Sequence, residues 1–90
     1  MARKLSIGVN WAGNFDIDGI VEQAKIADDA GVHTLNIAEA WGPDALSMLA
    51  VVARETTNIQ LGTSIINIFS RTPGAMAQHF ATLDHISNGR

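Results

Sequence analysis

One pattern constrains this chain more than any other. A short run of period two is followed by a loop and then by an apolar stripe of helical period, three times over in 90 residues. Lys4-Leu5-Ser6-Ile7-Gly8-Val9-Asn10 alternates, and predicts a strand over about 4–10. Gly13 and Asn14 mark a loop over 11–15. Asp16 then stands as a cap before Ile17, Ile20, Val21, Ala24 and Ala27, which predict a helix over about 17–30 ended by Gly31. Thr34-Leu35-Asn36-Ile37-Ala38 predicts a second strand over 34–38. Gly42-Pro43-Asp44 opens a second helix over about 43–56, with Pro43 placed at its first position. The third strand is expected over 59–66. Thr72-Pro73 opens a third helix over about 73–87, and Asn88-Gly89 stops it.

Strands that alternate with helices imply a parallel sheet with right-handed crossovers, an α/β fold. The two faces of the expected strands differ. Leu5, Ile7, Val9, Leu35, Ile37, Ile59 and Leu61 make one aliphatic face. Ser6, Gly8, Asn10, Thr34, Asn36, Ala38, Gln60, Gly62 and Ser64 make a small or polar one. A doubly wound sheet buries both faces and reads as continuous apolar runs. A polar second face suits a barrel lumen, and favours a (β/α) barrel segment over a flavodoxin-like sheet. A complete (β/α)₈ barrel uses ~250 residues, far more than are present here.

Hydrophobic residues make up 47% and charged residues 17%, which excludes a disordered chain. Mean hydropathy is +0.13, so part of the apolar surface is expected to meet a partner. Six basic residues stand against nine acidic ones, net −3, with no basic stripe. Nucleic acid and anionic membranes are therefore not expected partners. No cysteine is present, which removes disulfides and thiolate chemistry. No run approaches the ~18 apolar residues of a membrane span, and the default expectation is a cytoplasmic protein.

Parallel α/β folds bind ligands at the carboxyl ends of their strands. The residues placed there are Asn10 and Trp11, then Glu39 and Trp41, then Ser64, Asn67, Ser70 and Arg71. Two tryptophans and a carboxylate suit a flat aromatic ligand with polar edges. The same tryptophans could instead pack over the rim, Glu39 could be a solvated charge leading into the helix, and Arg71 a surface ion-pair residue. His33 precedes the second strand and lies at the opposite end. His79 and His85 have no partner at metal-ligand spacing, so no metal site is expected. No nucleotide-binding glycine motif, nucleophile elbow or zinc signature occurs.

The segment Ala30-Gly31-Val32-His33-Thr34-Leu35-Asn36-Ile37-Ala38-Glu39-Ala40-Trp41-Gly42 resembles the second strand of bacterial-luciferase-like oxidoreductases. Ile59–Asn67, then Ser70-Arg71-Thr72-Pro73, and the closing Thr82-Leu83-Asp84, Ser87 and Gly89-Arg90 extend the likeness over the chain. The coenzyme F420-dependent branch is the most similar, with FMN-dependent members next. The resemblance implies a TIM-type (β/α)₈ barrel of the luciferase-like monooxygenase family that moves hydride between a deazaflavin or flavin and a substrate. It also implies a catalytic Glu39 near the ring, and a cofactor site at Trp41, Ser64, Ile65 and Asn67. A non-prolyl cis bond is implied at Ser64–Ile65. Ala40 stands where many members carry a proton-transferring His, so no His base is expected there.

The expectation is thus an incomplete (βα)₃ barrel segment, a single truncated domain over 1–90, completed by homo-oligomerisation through open strand edges and the lumen face. Alone it is expected to be inactive, with weak F420 or FMN binding, because the family's phosphate-binding loops come from later strands. The alternatives are a self-associating structural protein without catalysis and a small-molecule binding module.

Overall fold

The computed structural model describes residues 4–9, 16–40 and 42–90. In chain order its elements are β1 (Ser6–Val9), α1 (Ile17–Asp29), β2 (Thr34–Ile37), α2 (Ala45–Glu55), β3 (Gln60–Thr63) and α3 (Pro73–Ile86). The strands form one parallel sheet in the order β1-β2-β3. The architecture is therefore the α/β (βα)₃ arrangement that the alternation of periods implies.

Local chemistry starts and stops each helix. The Asp16 carboxylate accepts the Gly19 N–H at 3.0 Å and caps α1. At its other end Gly31 takes φ +81°, which lets its own N–H reach the Asp28 carbonyl and the Val32 N–H reach the Ala27 carbonyl. Thr72 caps α3 through the Ala75 N–H, with Pro73 at the first helical position. Asn88, at φ +56°, and Gly89 close that helix in the same way as Gly31 closes α1.

Several boundaries shift by one to three residues from the sequence expectation, and two of the shifts have a visible cause or consequence. Asp44, not Pro43, governs the start of α2: its carboxylate accepts the Ser47 N–H at 2.8 Å, so the helix begins at Ala45. The third strand ends at Thr63 rather than Ile66. Its backbone still runs beside the chain leaving β2, since the Ser64 N–H donates to the Ile37 carbonyl and the Glu39 N–H to the Ile65 carbonyl.

The core lies on one side of the sheet. Val9, Leu35 and Ile37 face Ile20, Ala24 and Ala27 of α1 and Leu46, Leu49 and Val52 of α2. Leu35, Ile37 and Val52 are fully buried, each worth about 1.5–3 kcal/mol relative to exposure. The α3 helix buries no residue fully; Leu83 packs part-buried against the core, while Phe80 of the expected stripe is exposed. On the other side, register places Gly8, Asn36 and Gly62 in one row. The Asn36 carboxamide lies over Gly62, where a Cβ would meet its Oδ1 at 2.5 Å. At the amino end of β3's outer edge, the Leu61 N–H donates to the Arg90 carbonyl at 2.9 Å.

Candidate functional site

All parallel strands point their carboxyl ends one way, so the loops after β2 and β3 meet above the sheet. The chain leaving β2 turns sharply: Ala40 adopts φ +43°, and the Gly42 N–H donates to the Glu39 carbonyl at 2.7 Å. This turn buries the Glu39 side chain, 7% exposed, beneath the start of α2 and the β3–α3 loop.

Glu39 is held from every side. Arg71 donates from Nη1 to its Oε1 at 2.8 Å and from Nη2 to its Oε2. The Ala45 N–H, at the N-terminus of α2, donates to Oε2 at 3.0 Å, and the Asn67 N–H to Oε1 at 3.2 Å. The Arg71 bonds, joined by these two amides, outweigh burial and hold the carboxyl down to about 2. Arg71 is correspondingly pushed up by Glu39 and Asp44. Its Nη2 also donates to Asp44 Oδ1, and its Nη1 to the Asn67 carbonyl at 3.0 Å. Glu39, Asp44 and Arg71 together carry a formal charge of one net negative. Glu39, Ala40, Asp44, Asn67, Ser70 and Arg71 line a cavity of about 370 Å³.

The other expected site residues distribute unevenly. Asn67 reaches the cavity, with its Oδ1 accepting the Phe69 N–H at 2.9 Å. Ser64 and Ile65 follow β3 and are exposed. The bond between them is trans, not the expected cis, and no cis peptide occurs among the described residues. Two exposed side chains exert no packing force that would offset the ~3–4 kcal/mol cost of a cis form. Asn10, Trp11, the loop expected over 11–15 and Trp41 lie outside the described residues. Arg71 does form an ion pair, but a largely buried one rather than one at the surface. For Glu39 the solvated charge is not what forms, since the carboxylate is buried.

The opposite end of the sheet carries a second polar cluster. Asp28 accepts the N–H groups of Thr57, Asn58 and Ile59 at 2.7, 2.9 and 2.8 Å. Burial pushes its carboxyl up, but the three amides and the nearby Arg90 outweigh it, and the net direction is down. The Arg90 guanidinium donates to the carbonyls of Ala53, Thr56, Ile59 and Ser87 and to Thr56 Oγ1. His33 sits at this end, its Nδ1 2.7 Å from Thr34 Oγ1.

The sequence profile of the luciferase-like monooxygenases matches residues 5–90. This chain belongs to that family. The luciferase-like chain is 41% identical over 87 residues to a protein of Mycobacterium tuberculosis named as a coenzyme F420-dependent oxidoreductase, covering 97% of this chain and 25% of the relative. It is 33% identical over 89 residues to the F420-dependent glucose-6-phosphate dehydrogenase of Amycolatopsis mediterranei, covering 88% of this chain and 27% of that one. Among solved structures, the coenzyme F420-dependent tetrahydromethanopterin reductase of Methanopyrus kandleri superposes with a TM-score of 0.86 at 30% identity, over 97% of this chain and 25% of that one. The luciferase-like chain thus spans about a quarter of the length of these relatives. Its (βα)₃ unit is a segment of the family's (β/α)₈ barrel. No helix among the described residues is long and apolar enough to cross a membrane.

Proposed function

We propose that this chain forms a cofactor-facing wall of a coenzyme F420-dependent oxidoreductase. The observation that carries the reading is the convergence of Glu39, Ser64, Ile65 and Asn67 at the carboxyl end of a sheet whose open face is polar. Relatives named for F420 favour the deazaflavin over FMN. Bound F420 supplies a two-electron hydride carrier.

The described residues suit the ring of such a cofactor better than its phosphate-bearing tail. Ile65 offers exposed apolar surface, and Gly8 and Gly62 keep the sheet flat on either side of Asn36. Asn67 offers its Nδ2 donors. Arg71 is matched by two carboxylates, and no other cation lines this cavity among the described residues. Glu39, held near 2, stays ionised at neutral pH with both oxygens occupied. Its part in catalysis is therefore to orient the loops rather than to exchange a proton.

Titration with F420 and, separately, FMN, followed by cofactor fluorescence, tests this. A saturable change with F420 that is stronger than with FMN supports it. No change with either up to about 1 mM overturns it, since that bound leaves less than ~4 kcal/mol of binding energy.

A second reading has its own support. Phe69 is 95% exposed, and Ile68 and Ile65 stand exposed near it. With β1 and β3 at the sheet margins, these favour a homo-oligomer that covers the edges and the polar face. Light scattering on the eluting chain decides this: a monomer at all concentrations overturns the oligomer.

A further inference from the structure

We propose that Arg71 is a positioning residue that sets the β3–α3 loop and, through it, the direction in which Asn67 presents its carboxamide. The inference rests on the cofactor-facing role given to Asn67 above, and deepens it.

Arg71 works on Asn67 from two directions. Its Nη1 donates directly to the Asn67 carbonyl at 3.0 Å. The same nitrogen donates to Glu39 Oε1, which accepts the Asn67 N–H at 3.2 Å. The backbone of Asn67 is therefore pinned at both its donor and its acceptor. Glu39, in the loop after β2, is itself fixed to the N-terminus of α2 by the Ala45 N–H, so the β3–α3 loop is referenced through it to the βα framework.

The side chain of Asn67 is fixed from the acceptor side as well, because its Oδ1 takes the Phe69 N–H at 2.9 Å. Its Nδ2 has no partner among the described residues and can only donate. A ligand group that meets Nδ2 is therefore an acceptor, such as a ring carbonyl or ring nitrogen. Arg71 does not meet that ligand as a cation, since Glu39 and Asp44 match its charge. A planar guanidinium is needed for this task. Its two terminal nitrogens donate to three carboxylate oxygens and a carbonyl at once, which a lysine ammonium, as a point charge, does not.

Amide hydrogen exchange on the full chain tests the proposal with Arg71→Met and Arg71→Lys, each also titrated with F420. The expected result in Arg71→Met is exchange at the Asn67 amide faster by about tenfold, the scale of one lost charge-assisted hydrogen bond, with Leu35 in β2 unchanged. Arg71→Lys falls between that variant and the parent. F420 binding weakens in the same order. Equal acceleration at Asn67 and Leu35 means a general loss of stability and overturns the positioning role, as does unchanged exchange at Asn67. If the parent binds no F420 while Asn67 exchange responds as stated, the cofactor reading falls and the positioning of the loop stands.

Discussion

Arg71 and Glu39, 32 residues apart in sequence, meet with one guanidinium nitrogen on each carboxylate oxygen. Their side chains are only 10% and 8% exposed, so this pair is not a solvent-screened surface contact. It joins the loop after β2 to the loop after β3 and fixes the floor of the candidate site.

Breaking that pair from one side leaves the other charge stranded. Glu39→Gln keeps the size of the side chain but leaves the Arg71 guanidinium half-matched, with Asp44 as its remaining carboxylate. The expected loss is about 3 kcal/mol, read as a lower midpoint in urea unfolding. A fall of less than ~0.5 kcal/mol would place the pair among those that contribute nothing measurable.

The same carboxylate makes stability depend on acidity. Its folded value lies near 2 against an ordinary 4.5. A depressed carboxyl contributes stability that is present above its unfolded value and is lost as pH falls from there through the folded value. Stability should therefore hold down to about pH 4.5 and decline from there toward pH 2. Asp28, also shifted down, adds to the slope in the same direction. Unfolding midpoints measured across this range should show the decline, and Glu39→Gln should flatten it.

Ala40 occupies the left-handed region at φ +43° and is exposed. A Cβ there costs roughly 1–2 kcal/mol that glycine does not incur. Ala40→Gly should therefore stabilise the fold by about 0.5–1 kcal/mol after the entropy of the more flexible unfolded chain is counted. Calorimetry reads this as a raised Tm; a lowered one would mean that the turn relaxes without help.

The Asn36–Gly62 contact gives a prediction about coupling. A Cβ at 62 collides with Asn36 Oδ1, the far end of a side chain that can turn away. Gly62→Ala should cost less than about 1 kcal/mol, and less still in an Asn36→Ala background. Additive losses in the double variant would show that the Asn36 side chain turns away at no cost.

The order of elements was readable because periods of two and 3.6 leave different apolar spacings, as in Leu35/Ile37 against Ile20/Ala24/Ala27. Helix ends at Asp16, Gly31 and Thr72 were readable because capping chemistry is local. The start of α2 was misplaced because Pro43 and Asp44 are both plausible opening residues, and only the Asp44–Ser47 bond decides between them. The site was readable as a place rather than as a circuit. Glu39 and Arg71 could each be assigned to the carboxyl end of the sheet, and Asp44 to the opening of the second helix. Their mutual bonds depend on how two loops fold over it, and no local pattern encodes a partner 27 or 32 residues away. At the Ser64–Ile65 bond, which is trans, the family resemblance led away from the structure.

The bond from the Leu61 N–H to the Arg90 carbonyl repeats, on the outer margin of β3, what the bond from the Gln60 N–H to the His33 carbonyl does between β2 and β3. With Arg90 clasped to the end of α2 through Ala53 and Thr56, that first rung does not fray with the helix that carries it. A parallel strand growing from this rung would have no alignment left to search for. Its pairing with β3 would proceed like a zip whose slider is already seated.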